Sequence, residues 1–228
     1  MLIIKFGGSI ITEKEKVIKI IEDELKVHQR LIIVTSAMGR YPDPYATDTL
    51  RQMATDVDED NYNEIVSCGE VISGINLANE LCKKQIDTKF LSVYDIDLKI
   101  DDNLEISERV KNYLLKYRVI IIPGFMALKK QKITLLPRGG SNLTAVFLAD
   151  YFRSPLMIIT DVDGIYQHHP KNFLAKKLSF VSTFELALLI TEHPRLFPIE
   201  VIKYLKRNHF MILFCNLDSK NGSLIANF

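Results

Sequence analysis

The sequence predicts an α/β fold: a three-layer sandwich with a largely parallel central sheet between two layers of helices. Short β-branched runs alternate with longer amphipathic stretches from one end of the chain to the other. Several of those runs break directly into glycine or small residues, as strands of an open sheet do where they reach a ligand-binding carboxyl edge. The 228 residues are enough for a full hydrophobic core, and no Pro/Gly/Ser-rich linker, low-complexity segment or internal repeat divides them.

Leu2–Phe6 opens the chain as a strand and ends in Gly7-Gly8-Ser9. Lys14–His28 then carries helical periodicity. The strand Leu31–Val34 runs into Thr35-Ser36-Ala37-Met38-Gly39. A long helical pattern covers Glu64–Lys83, followed by a strand at Phe90–Val93, a helix at Ile106–Lys116 and a strand at Val119–Ile122 that breaks at Pro123-Gly124-Phe125. Ile133–Leu136 is a strand leading into Arg138-Gly139-Gly140-Ser141 and a helix over Asn142–Tyr151. Leu156–Thr160 is a strand, Glu200–Lys206 a helix, and Met211–Cys215 and Leu224–Ala226 a closing strand pair. Ser154-Pro155 marks a soft boundary, so a single domain over 1–228 is expected with lobes at about 1–154 and 155–228.

Composition excludes several function classes. With 29 Lys+Arg against 28 Asp+Glu there is no electrostatic case for binding nucleic acid or an anionic membrane. No apolar run approaches a membrane span, and the N-terminus reads as a strand, not a signal peptide. Cys68, Cys82 and Cys215 are an odd number at wide spacing with no metal-ligand pattern. They read as reduced thiols of a cytoplasmic protein, Cys68 as a small buried filler.

The strand ends carry the chemistry. At Arg138-Gly139-Gly140-Ser141-Asn142 two glycines let backbone approach a ligand, and the new helix offers free N–H groups. Arg138 adds a fixed fork suited to carboxylate or phosphate, and Ser141 is expected to cap the helix. The same pentapeptide also reads as an ordinary Gly-Gly turn before a capped helix. Lys5 beside Gly7-Gly8-Ser9 repeats the pattern with a mobile point charge able to follow a phosphoryl group, although the Walker A spacing is absent. The five histidines form no nucleophile–base arrangement.

These motifs, in this order, resemble the amino acid kinase superfamily, and within it the catalytic domain of aspartate kinases. Lys5-Phe6-Gly7-Gly8-Ser9 is similar to the family's N-terminal phosphate loop. Thr35-Ser36-Ala37-Met38-Gly39-Arg40, with Asp43 to Leu50, resembles its second loop and the helix after it. Ser67-Cys68-Gly69-Glu70 resembles its Ser-x-Gly-Glu turn, which would open a long helix. Pro123-Gly124-Phe125 and Arg138-Gly139-Gly140-Ser141 follow, and Thr160-Asp161-Val162-Asp163-Gly164-Ile165-Tyr166 resembles its nucleotide-binding segment.

The resemblance implies transfer of the γ-phosphoryl of ATP, as Mg²⁺·ATP, to the β-carboxylate of L-aspartate. The product would be the acyl phosphate 4-phospho-L-aspartate, which opens the route to lysine, and a homodimer is the assembly implied. Lys5, Gly7, Gly8 and Ser9 would surround the β- and γ-phosphates with Ser36 nearby. Glu70 would hold the acceptor's ammonium and Arg138 its carboxylate, with Gly139, Ser141 and Asn142 beside them. Thr47 matches a position that touches the amino acid, and is equally well read as a helix-start hydroxyl. Thr160, Asp161, Asp163 and Tyr166 would form the nucleotide side. One of the two aspartates would bond ribose or help hold Mg²⁺ through water, no direct protein ligation of the metal being expected. His168 and His169 read as loop histidines.

Three departures from the family pattern stand out. Asn142 occupies the place of a family aspartate. The family's Gly-Ala-Lys segment is missing, and Arg195 is the candidate replacement for its nucleotide-binding lysine. His169-Pro170-Lys171 stands where the family has Asp-Pro-Arg. The first motivates a kinase for another small carboxylic amino acid, the second a non-catalytic binding subunit. Because the final strand pair resembles the end of the family's catalytic domain, the chain is expected to lack the regulatory ACT domains and to be insensitive to lysine, threonine and methionine.

Overall fold

Leu2–Phe6 is buried at every position and forms β1, the unbroken burial expected of a strand covered on both faces. In the computed structural model, which describes residues 1–167, 175–192, 197–206, 211–218 and 221–226, the chain continues through α1 (Lys14–Val27), β2 (Leu31–Thr35), α2 (Thr47–Met53), α3 (Glu59–Lys83) and β3 (Thr88–Phe90). Next come β4 (Lys99–Ile100), β5 (Leu104–Glu105), α4 (Arg109–Lys116), β6 (Val119–Pro123), β7 (Met126–Lys129), β8 (Lys132–Leu135) and α5 (Gly140–Phe152). The last elements are β9 (Leu156–Ile159), β10 (Ile165–Tyr166), β11 (Lys177–Leu178), β12 (Phe180–Ser182), α6 (Thr183–Glu192), α7 (Val201–Leu205), β13 (Ile212–Cys215) and β14 (Ser223–Ala226).

Eight strands form the central sheet in the order β12-β14-β13-β9-β1-β2-β6-β3. Every neighbouring pair is parallel except β13 and β14. The chain fills one side of β1 first, with β2, β6 and β3 in spatial order, and later the other, with β9, β13, β14 and β12. β1 therefore lies at the switch point of the sheet, where an open α/β fold leaves a crevice beyond the strands' carboxyl ends.

Period-2 alternation sorts the core. Ile3, Ile32, Val34, Ile120 and Ile158 belong to the core that holds α5, while Ile4, Phe6, Ile33, Ile121 and Ile159 share the one that holds Val17, Ile18 and Ile21 of α1 and Leu77 and Leu81 of α3. Burying each such side chain is worth about 1.5–3 kcal/mol. All of α5 from Gly140 to Ala149 is buried, which fixes the position of the residues at its start.

Several boundaries differ from expectation. The strand expected at Phe90–Val93 is Thr88–Phe90; Leu91 and Val93 stay buried, but beyond the paired residues. α3 begins at Glu59, five residues early, because the Asp58 carboxylate accepts the Asn61 N–H at 2.9 Å and caps it. The helix expected from Ile106 starts at Arg109. Ile133–Leu136 contributes to a separate four-stranded sheet, β5-β4-β7-β8, and not to the parallel one. Cys68 is exposed, contrary to its reading as a buried filler. No helix among the described residues is long and apolar enough to cross a membrane.

Candidate active site

The loops that leave β1, β2 and β9 converge at the carboxyl edge around a cleft of about 450 Å³. Backbone bonds bind them to one another. The Gly7 N–H donates to the Ile159 carbonyl at 2.9 Å, and the Gly39 N–H donates to the Gly8 carbonyl at 2.9 Å. A Cβ on Gly8 would stand 2.4 Å from the Ala37 carbonyl oxygen, so the two glycine loops touch only because Gly8 has no side chain. Gly39 has φ +84°, which an L side chain rarely adopts.

A third segment joins at the start of α5. Gly139 takes the left-handed conformation (φ 84°) as the N-cap, and the Asn142 N–H bonds back to its carbonyl at 2.8 Å. Ser141 is therefore not the cap expected from its sequence position. Its hydroxyl lies 2.9 Å from that of Ser36, linking α5 to the loop after β2 across 105 residues. Gly124 admits this approach, since a Cβ there would sit 2.5 Å from Ser141 Cβ.

Glu70 enters from the middle of α3, not from its first turn. Gly69 is not a turn residue as its motif suggests but serves a close approach within the helix: a Cβ would fall 2.6 Å from the Tyr45 carbonyl oxygen and 2.7 Å from Ala37 Cβ. That contact presses α3 onto the second loop, and the Ala37 N–H donates to the Glu70 carboxylate. Glu70 is 2 % exposed, and its Oε2 has no hydrogen-bond partner among the described residues. Burial pushes its carboxyl up to about 8, against the backbone bonds and the charges of Lys5 and Arg51. Burial likewise drives the Lys5 ammonium down to about 8, against the pull of Glu70 and Asp161.

Beyond the end of β9, Thr160 donates its hydroxyl to Asp161 at 2.9 Å, and Arg40 forms an ion pair with the same carboxylate. Burial opposes ionisation of Asp161, but these bonds and its own N–H outweigh it and hold the carboxyl below its ordinary value. Arg40 thus ties the loop after β2 to the segment after β9.

The cleft gathers Lys5, Gly7, Gly8, Ser9, Ser36, Thr47, Glu70, Arg138, Gly139, Ser141, Asn142, Thr160 and Asp161 from the residues singled out in the sequence. Thr47 lines it as the first residue of α2, so its two readings coincide in one position. Asp163 and Tyr166 do not line it. Asp163 accepts from the Tyr166 hydroxyl at 2.7 Å and pairs with Lys177 at 3.1 Å, fastening the β10–β11 hairpin. Arg195, His168 and His169 lie outside the described residues.

Arg40, Asp48 and Arg51 line the cleft without having been singled out. Arg51 is one helical turn beyond Thr47, the spacing that would have marked it once Thr47 was placed. Among the described residues no cluster of three or more His, Cys, Asp or Glu side chains forms a metal cage. One cleft thus brings together the glycine loops, Lys5, a buried carboxylate and guanidinium groups.

The chain is similar to known proteins over most of its length. The amino acid kinase family profile matches residues 1–207. The aspartokinase of Rickettsia prowazekii (strain Madrid E) is 28% identical over 210 residues, which are 82% of this chain and 46% of that protein. The chain thus spans about half the length of the curated relatives it matches. Among solved structures, the aspartate kinase from Synechocystis superposes with a TM-score of 0.83 at 22% identity, covering 100% of this chain and 40% of that one. E. coli aspartokinase III in complex with aspartate and ADP also gives 0.83, at 19% identity and covering 100% and 64%.

Proposed function

The chain belongs to the amino acid kinase family, and from that premise we propose that it transfers the γ-phosphoryl group of Mg²⁺·ATP to a side-chain carboxylate, with L-aspartate as acceptor and 4-phospho-L-aspartate as product. The observation that carries this reading is the shared cleft. Lys5 and the Gly7-Gly8 loop stand in one cavity with Glu70 and Arg138, so a polyphosphate and an amino acid can meet there. The similarity to aspartokinases over most of the chain supports the choice of acceptor.

The chemical problem is to hold two anions together, and the acceptor carboxylate is already a deprotonated nucleophile. Positive charge and fixed backbone donors must do most of the work. Lys5 would follow the charge that shifts onto the transferring phosphoryl. The N–H groups of Gly8 and Ser9, which unlike those of Gly7 and Gly39 are not spent on a backbone carbonyl of the described residues, would hold the phosphates. Glu70 would orient the acceptor by its ammonium and Arg138 by a carboxylate. The donor set fits Mg²⁺ carried by the nucleotide phosphates, with Asp161 as the carboxylate beside them to hold it through water; when bound, the ion would neutralise polyphosphate charge. The nucleotide side would be completed by residues after 154 and the acceptor side by residues before it, the two lobes of one domain.

A second reading has its own motive. Asn142 lies in the cleft where a carboxylate would serve an ammonium group, so an acceptor other than aspartate is the alternative. One assay separates them: phosphoryl transfer from Mg²⁺·ATP, trapped with hydroxylamine across a panel of carboxylic amino acids. Hydroxamate with aspartate upholds the first reading, and hydroxamate only with another acid upholds the second. Nucleotide binding without any hydroxamate overturns both and leaves a binding subunit.

A further inference from the structure

Arg51 has a position that the proposed reaction does not yet use. It lines the cleft from α2, and its guanidinium carbon lies 5.9 Å from the centroid of the Phe125 ring. A planar cation resting on an aromatic face is held in orientation with its donors free to meet a planar anion. Its Nε is buried with no hydrogen-bond partner among the described residues, and none of the ion pairs there includes it. A buried donor left without an acceptor is costly, so such a group is expected to gain one when the site fills.

Glu70 is its counterpart. The Glu70 Oε2 is also buried without a hydrogen-bond partner, in the same cleft, and Arg51 is one of the cations whose field reaches it. Two residues of opposite charge that line one cavity, each with a buried polar atom left without a partner, describe a ligand bearing both signs of charge. Arg138 adds a further guanidinium to that cavity, Asn142 adds no charge, and Arg40 and Asp161 are paired with each other. Beside Lys5 and Asp48, which also line the cleft, Glu70 with the Arg51 and Arg138 guanidinium groups can match one ammonium and two carboxylates.

We infer that Arg51 is a specificity-determining residue of the acceptor half: it binds one carboxylate of an amino dicarboxylate while Arg138 binds the other, so that amino acids with a single carboxylate are rejected. The inference rests on the acceptor reading above and goes beyond it in assigning the second carboxylate to a residue of α2. Rejection follows because an acceptor lacking that carboxylate leaves the guanidinium, with its buried Nε, unmatched.

The test compares wild type with Arg51→Met, which keeps apolar bulk over Phe125, and Arg51→Lys, which keeps the charge without the fork. Binding of L-aspartate, L-glutamate and the two mono-amides of aspartate, L-asparagine and L-isoasparagine, is measured calorimetrically with Mg²⁺·ADP present. Arg51→Met should weaken the preferred dicarboxylate at least tenfold and leave Mg²⁺·ADP affinity and the melting temperature unchanged. It should weaken one of the two mono-amides less than twofold, because the carboxylate it would have met is already gone; Arg51→Lys should recover only part of the loss. Equal weakening of dicarboxylate and both amides, weakening of Mg²⁺·ADP, no weakening, or a wild type that binds neither dicarboxylate would overturn the inference. Binding with no hydroxamate would overturn the kinase reading while leaving the role of Arg51 standing.

Discussion

Lys5 and Glu70 are buried groups of opposite charge that face one cleft without forming an ion pair, and burial brings both to about 8 from opposite directions. Each lacks a close counter-ion among the described residues that a bound phosphate or ammonium could supply. Their linkage to stability has opposite sign. Glu70, raised from 4.5, is held more tightly protonated in the folded chain, so its contribution is fully present below pH 4.5 and lost as pH rises through 8. Lys5, lowered from 10.5, releases its proton more readily when folded, so stability from it rises between pH 8 and 10.5. Urea unfolding across pH should therefore give a wild-type minus Glu70→Gln difference that falls from pH 5 to 8 and then levels. A flat difference over that window would mean that the carboxylate is not desolvated.

The same lysine sets an expectation for catalysis. If Lys5 follows the γ-phosphoryl, Lys5→Ala should lower kcat by at least about a hundredfold, because the contact strengthens as charge develops. Since its ammonium titrates near 8 in the free protein, wild-type kcat/KM for Mg²⁺·ATP should decline above that pH. Lys5→Ala should lose that decline. An unchanged kcat with a folded variant would remove Lys5 from the chemical step.

The parallel sheet and most of the cleft were legible because strands that end in glycine advertise both at once: Leu2–Phe6 is a strand as expected, and Gly7, Gly8, Gly139 and Arg138 reach the cleft. What escaped the sequence depends on contacts distant in the chain. Gly69 looks like a helix start locally, and only the approach of Tyr45 and Ala37 explains a glycine in mid-helix. Ser141 has the composition of a cap, but Gly139 takes that position and frees the hydroxyl for Ser36. Arg51 is signalled in the sequence only by its spacing from Thr47, since its direction is set by how α2 packs against α3 and by the ring of Phe125. The small strands β4, β5 and β7 are too short for periodicity to register.

Glu70 and Arg138 should affect the acceptor and spare the nucleotide. Glu70→Gln and Arg138→Ala are each expected to raise the acceptor's KM by an amount equivalent to about 2–5 kcal/mol, part of it from the ligand charge left without a partner. The KM for Mg²⁺·ATP should move less than threefold in steady-state assays. Equal effects on both substrates would mean that these residues serve the nucleotide or the fold.

The two glycines after β1 differ in what a methyl group would meet, and this yields the sharpest test of the loop architecture. A Cβ on Gly8 would fall 2.4 Å from the Ala37 carbonyl oxygen and 3.2 Å from that of Gly39, both backbone atoms that cannot rotate away. A Cβ on Gly7 would meet nothing closer than the Ile159 carbonyl oxygen at 3.4 Å, an ordinary contact. Gly8→Ala must therefore push the loop after β2 off the loop after β1, straining the bond from the Gly39 N–H to the Gly8 carbonyl. The expected cost is about 1–3 kcal/mol of unfolding free energy, with a rise in KM for Mg²⁺·ATP because the loop that carries the Gly8 and Ser9 N–H groups is displaced. Gly7→Ala should lose much less stability in the same urea titration. Should Gly7→Ala prove the more destabilising of the pair, the close packing of the two glycine loops would be wrong, and with it the shape of the cleft beside them.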